Sequence, residues 1–195
     1  MRICFIGDSF VNGTGDPRCL GWSGRICAAA RRAGHDLTYY NLGIRRDTSA
    51  GIRARWEDEA VRRLPPGVAA GLVFSFGTND TTVEDGRRRV PPDESLANAA
   101  AILGGAARLY PVLMVGPPPL ADDEQNGRTV ALSREFAAVC EAAGVPYLPV
   151  VEALLTSPHW LREAAAGDGA HPGARGYAEL AGLVQRWPAW RRWLP

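Results

Sequence analysis

Arg2-Ile3-Cys4-Phe5-Ile6-Gly7-Asp8-Ser9 opens the chain with a short apolar run, a glycine, an acid and a hydroxyl. A run of this length bounded by a turn signal reads as a buried strand, and the residues after it leave from its carboxyl end. Four further runs of the same kind occupy residues 38–41, 71–76, 112–115 and 145–149, each bounded by Gly, Pro, Asn or Asp. With residues 2–6 they make five strands apolar enough to be covered on both faces, as in a parallel sheet.

Segments of helical period lie between them. Trp22, Ile26, Ala29, Ala30 and Ala33 fall three and four apart before Gly34 supplies a stop. Ile52, Trp56, Ala60 and Leu64 form a second stripe, ended by Pro65-Pro66. Leu96, Ala99, Ala100, Leu103 and Ala107 make a third, Leu132, Phe136, Val139, Cys140 and Ala143 a fourth, and Tyr177, Leu180, Ala181, Val184 and Trp187 a fifth. Strands and helices in alternation, joined by right-handed crossovers, predict an α/β fold. The expected form is a three-layer α/β/α sandwich on a five-stranded parallel sheet of flavodoxin-like order 2-1-3-4-5. No repeat, linker or low-complexity tract interrupts residues 1–195, so one domain is expected.

Composition narrows the function classes. The net charge of +1 calls for neither nucleic acid nor an anionic membrane as partner. All 22 basic residues are Arg, which excludes a Schiff-base lysine, a Ser-Lys dyad and a phosphate-loop lysine. No run is long enough to span a bilayer and none resembles a signal peptide, so a cytoplasmic location is expected. Cys4, Cys19, Cys27 and Cys140 lack metal-type spacing and read as buried reduced thiols.

Four polar elements fall at strand ends. Gly7-Asp8-Ser9 holds a serine on a turn at the sheet's carboxyl edge. Asp168-Gly169-Ala170-His171-Pro172 has a three-residue offset that can bring the carboxylate back to the imidazole Nδ1, leaving Nε2 free to accept a hydroxyl proton. His35 and His159 have no acid at that spacing. Gly77-Thr78-Asn79-Asp80 follows the third strand, which neighbours the first, so Asn79 can donate to an oxyanion beside Ser9. The run from Asn41 to Ser49 follows the second strand, on the other side of the first. Alone, each reads as a turn or a cap; together they point to a hydrolytic site. Residues 81–93 and 116–126 are the expected substrate-lining loops, and Arg87-Arg88-Arg89 in the first reads as a solvated charge run rather than an anion clamp.

With these blocks in this order, the sequence resembles the SGNH hydrolases, also called GDSL esterases and lipases, over essentially its whole length. The resemblance implies Ser9 as nucleophile, His171 as general base and Asp168 as the acid that orients it. It also implies an oxyanion hole built from the Ser9 N–H, the Asn79 side chain and a backbone N–H of the second block. Where the family usually has glycine in that block, Arg46 stands ahead of Asp47-Thr48-Ser49. Arg46 is therefore the expected donor, with Gly43 as the alternative. The implied chemistry is two-step acyl transfer needing no metal or organic cofactor.

Trp22 and Trp160, with Asp8 and Asp80 beside the motif residues, are candidate pocket residues. The expected partner is a small or lipid-like ester. A sugar acetate, a thioester or a lysophospholipid on the same triad is the alternative, and a ligand-binding module that keeps the fold is the non-enzymatic one. Trp187, Trp190 and Trp193 form a stripe that admits a homodimer contact, although docking on the chain's own sheet is the better reading.

Overall fold

A computed structural model describes residues 1–194 of the chain. Strand β1 (Arg2–Gly7) lies between β2 (Thr38–Gly43) and β3 (Ala70–Ser75). A two-stranded hairpin, β4 (Val83–Glu84) with β5 (Arg87–Arg88), stands apart from the sheet. The sheet continues through β6 (Val112–Val115) and β7 (Tyr147–Leu148) in the order β2-β1-β3-β6-β7, every pair parallel. With the hairpin set aside this is the order 2-1-3-4-5 expected of a doubly wound sheet.

Side-chain alternation along β1 divides the interior into two cores. Ile3 and Phe5 face one way, with Trp22 and Ile26 of α2 (Gly21–Arg32) and Tyr177, Leu180 and Val184 of α8 (Ala174–Arg186). Cys4 and Ile6 face the other way. There they meet Ile52 and Trp56 of α3 (Ser49–Val61), Ile102 and Leu103 of α4 (Pro92–Ala107), and Phe136 of α5 (Asp123–Ala142). The period of two along the strand is what lets one backbone serve both cores.

Register decides where the site can form. Gly7 pairs with Gly43 of β2 and with Ser75 of β3, so three neighbouring strands end at the same level. A Cβ on Gly7 would lie 2.0 Å from Ser75 O, so β1 could not pair at this point with any larger residue. The segments after all three strands therefore leave from one edge.

Several details differ from the sequence expectations. β2 runs two residues further than residues 38–41, because Leu42 and Gly43 find partners in Ile6 and Gly7. β7 shrinks from residues 145–149 to two, matching only Met114 and Val115. Beyond the five helices expected from the sequence, the structure holds four short ones, α1 (Ser9–Asn12), α6 (Val151–Leu155), α7 (Trp160–Ala166) and α9 (Pro188–Arg191), among the described residues. Cys4, Cys27 and Cys140 are buried thiols, but Cys19 is exposed in the loop before α2. Trp190 docks on Phe5, ring centroids 6.2 Å apart, and Trp193 lies against Gly71, so part of the C-terminal tryptophan stripe packs on its own sheet.

Phe5 is fully buried and makes edge contacts with Trp22 at 5.6 Å and Tyr39 at 5.4 Å. Phe5→Ala should lower the unfolding free energy by about 3–5 kcal/mol, through lost transfer energy and an unfilled cavity. Urea denaturation checks this, and a loss below about 1 kcal/mol would mean that this core collapses around the gap.

Candidate active site

The chain turns from β1 into α1 without a loop. Asp8 caps the helix, its Oδ1 accepting the Phe10 N–H at 2.9 Å, so Ser9 becomes the first helical residue. Gly43 lies behind this turn, where a Cβ would come within 2.2 Å of Asn12 N and 2.6 Å of Asp8 O. The close approach of β2 to α1 thus explains a glycine at 43 without any role at the site.

Ser9 Oγ lies 2.7 Å from His171 Nε2, and His171 Nδ1 lies 2.7 Å from Asp168 Oδ2. The other carboxylate oxygen, Oδ1, accepts the backbone N–H groups of Ala170 at 3.0 Å and of His171 at 2.9 Å. One acid therefore shapes the turn and orients the ring that the turn carries. Burial favours the neutral acid, but the His171 backbone and ring bonds, with the Ala170 N–H, outweigh it and hold Asp168 down at about 2. An ionised Asp168 assigns the Nδ1 proton, so Nε2 accepts from the Ser9 hydroxyl.

The ring is braced from behind. Phe10 lies 5.1 Å from the His171 ring, and Trp160 stacks on Phe10 at 6.0 Å. Trp160 is itself fixed by Nε1–H donation to Pro119 O at 2.9 Å. Gly169, at φ 82, makes the turn possible, and its carbonyl accepts the Ala121 N–H at 2.9 Å.

Asn79 sits at the start of a 3-10 turn (Asn79–Thr81) after β3. Its Nδ2 donates to Asp47 O at 2.9 Å and to Asp8 Oδ2 at a longer 3.2 Å. Arg55 fastens the second block to the sheet, with Nε on Asp47 Oδ2 at 2.8 Å and a terminal nitrogen on Gly7 O at 2.9 Å.

Arg46 adopts φ 66, the left-handed conformation natural to glycine. Among the described residues its backbone N–H has no acceptor, and neither has that of Ser9. The Gly43 N–H, by contrast, is taken by Asn41 Oδ1 at 3.0 Å. Of the two second-block candidates, only Arg46 lines the cleft.

That cleft has a volume of about 310 Å³. Ser9, Asn79, Asp168 and His171 form its floor; Phe10, Leu120 and Ala170 contribute apolar surface; Thr82, Glu84, Arg89 and Gln125 contribute polar surface. Gln125 is held by donation to Thr78 O at 3.0 Å and Thr82 Oγ1 at 3.0 Å. The two long loops named from the sequence do line the site, but the pocket residues named there do not. Trp22 is a core residue with no exposure, and Trp160 stands one layer back, behind Phe10. Asp8 lies beneath the cleft. Asp80, raised above the usual carboxylate range by burial, accepts the Ser49 N–H at 2.8 Å and the Ser95 hydroxyl, joining α3 to α4. Sequence signals for the true lining were weak: Phe10 stands beside Ser9, Glu84 ends a two-residue strand, Gln125 sits in the first turn of α5, and Thr82, Arg89, Leu120 and Ala170 lie in loops where no periodicity operates.

Among the described residues, no group of three or more His, Cys, Asp or Glu side chains could hold a metal ion. No helix among them is long and apolar enough to cross a membrane.

The model of the GDSL-like lipase/acylhydrolase family matches residues 5–179. A lipase/acylhydrolase from Enterococcus faecalis superimposes with a TM-score of 0.78 at 20% identity, over 97% of this chain and 96% of that one. TesA superimposes with 0.79 at 24% identity over the whole of both chains. Axe2, an acetylxylan esterase from Geobacillus stearothermophilus, gives 0.76 at 19% identity over 95% and 92%. No curated protein matches the sequence significantly.

Asp8 is the unusual acid of this site. Burial raises it to about 7, with Asp80 and Asp47 adding to the rise and the Phe10 N–H opposing it. Unfolded, it would lose its proton near 3.8. Between those values the folded protein binds the extra proton, so rising pH disfavours the fold at this residue. The stability difference between wild type and Asp8→Asn should therefore shift against wild type from about pH 4 to about pH 7 and level off above. Urea denaturation across that range checks it; a difference that rose with pH would contradict the assignment.

Proposed function

The chain belongs to the GDSL-like lipase/acylhydrolase family, and from that premise we propose that it hydrolyses short-chain carboxylic esters through an acyl intermediate on Ser9. The observation that carries this reading is the unbroken hydrogen-bonded chain from Ser9 Oγ through His171 to Asp168. Ser9 Oγ attacks the ester carbonyl carbon while His171 Nε2 takes its proton. Asp168, held ionised, stabilises the imidazolium that forms. The oxyanion settles against the free N–H groups of Ser9 and Arg46 and against Asn79 Nδ2. Asn79 has a hydrogen to give, because its bond to Asp8 is the longer of two and ends on an acid that readily accepts a proton near neutrality. His171 then protonates the leaving alcohol, and a water molecule, deprotonated by the same ring, releases the acid.

The volume of the cleft and its boundary at Phe10 and Leu120 suit a short acyl group better than a fatty one. An adjoining trough of about 670 Å³, lined by Thr14, Gly15, Glu163 and Arg175, shares Arg45, Asp168 and His171 with the cleft. It offers room for a hydroxyl-bearing leaving group. This favours a sugar acetate as a second reading, in keeping with the activity named for the Geobacillus enzyme.

With p-nitrophenyl acetate, Ser9→Ala should lower kcat/KM by at least about 10³-fold and Asp168→Asn by roughly 10⁴-fold. Equal hydrolysis by wild type and Ser9→Ala would refute the assignment of the nucleophile. Acetate and butyrate esters should exceed octanoate by about tenfold or more, since a pocket of this size excludes the longer chain. Because a backbone N–H is the proposed donor, Arg46→Gly should retain kcat on the neutral acetate within about threefold. A much larger loss there would move the role to the Arg46 side chain.

A further inference from the structure

The run Arg87-Arg88-Arg89 divides in the structure. Arg87 and Arg88 form β5, whereas Arg89, just beyond it, lines the catalytic cleft. The Arg89 side chain is only 20% exposed, and its nearest acid, Glu84, stands 3.8 Å away, beyond hydrogen-bond reach. None of its side-chain N–H groups finds an acceptor among the described residues. Glu84 already serves Arg46 at 2.7 Å. Arg45 reaches Asp168 at 3.4 Å, but that carboxylate is committed to the His171 ring and to two backbone N–H groups. Three guanidinium groups thus border one cleft against two carboxylates, neither of which satisfies Arg89.

Exposed ion pairs contribute little to stability, about 0–1 kcal/mol, so the long pair to Glu84, which leaves the Arg89 donors without a hydrogen-bond acceptor, does not account for a guanidinium held at the cleft. A ligand carboxylate would account for it, since the planar guanidinium fork matches that group with two parallel hydrogen bonds. We propose that the cleft selects esters whose short acyl group ends in a carboxylate, with Arg89 as its specificity-determining contact and the Arg46 side chain assisting. This rests on the acyl group occupying the cleft beside Ser9, as above.

The test compares monomethyl succinate with methyl butyrate, two four-carbon acyl groups differing in the terminal charge, by pH-stat, using wild type and Arg89→Gln. Wild type should prefer the succinate in kcat/KM, and Arg89→Gln should reduce that preference by about tenfold, the scale of a charge-assisted hydrogen bond. Because the preference is a ratio within one protein, a general loss of folding does not imitate the effect. Raising NaCl from about 0.05 M to about 0.5 M should also lower the wild-type ratio. A wild-type ratio at or below one, or a ratio unchanged in Arg89→Gln, would overturn the proposal. If p-nitrophenyl acetate is hydrolysed in the same samples, that failure belongs to the proposal alone. Absence of all three activities would instead overturn the reading of the site as an esterase centre.

Discussion

Gly7 has strand neighbours on both sides, Gly43 and Ser75, and no side chain to hold them apart. This close approach sets the carboxyl ends of three parallel strands level. Ser9, Arg46 and Asn79 then emerge within a few residues of one another's strand ends, although they are distant in sequence. Gly43 repeats the constraint one layer out, where its missing Cβ lets β2 touch the backbone of α1. The geometry around Ser9 follows from strand pairing, which is held by the two cores beneath it. A residue with a Cβ at Gly7 would shift the strand on which that geometry depends.

Electrostatics at the edge is shared among acids with opposite tasks. Asp168 is kept ionised by the N–H groups of its own turn, so it can hold the imidazole ring in one tautomer. Asp8 is driven by burial toward its neutral form while still capping α1 and meeting Asn79. Asp80, also buried, spends its oxygens on Ser49 and Ser95 and ties helices together away from the cleft. Three similar residues near one sheet edge are thus separated by their hydrogen-bond partners and depth. None of that separation is visible in the letters Asp-Ser, Asn-Asp or Asp-Gly-Ala-His.

Arg46 shows how a departure from a family pattern can leave the geometry intact. The left-handed conformation, for which glycine is the easy choice, is present with an arginine, at a cost of about 1–2 kcal/mol for an L-residue. The surrounding structure holds it: Asp47 N–H donates to Ile44 O at 3.1 Å, and Arg55 anchors Asp47. The retained N–H faces no protein acceptor, and the side chain adds a cation to the rim that glycine would have left out.

The five strands and five longer helices were legible because each repeats a pattern over enough residues to be distinguished, as in Ile3 to Ile6 or Trp22 to Ala33. The same holds for the candidate triad, since turn residues, an acid–histidine offset and strand-end positions are local properties. The short helices were not legible, because four to seven residues make no measurable period and such helices persist only through tertiary burial. Strand limits at Gly43 and Leu148 depended on partners, and a strand can extend only as far as its neighbour. Trp22 and Trp160 illustrate the same limit: an aromatic beside a motif carries no sign of which way it faces. Sequence alone determined the strands and the residues able to do chemistry, which are encoded locally, and the alternation of strand and helix, from which the crossover rule led to the sheet order. Only the tertiary structure decided which side chains share the cleft, that Asp8 is buried and that the Arg89 side chain donates no hydrogen bond within the described residues. Those properties depend on distance through space and on exclusion from water, neither of which is carried by position along the chain.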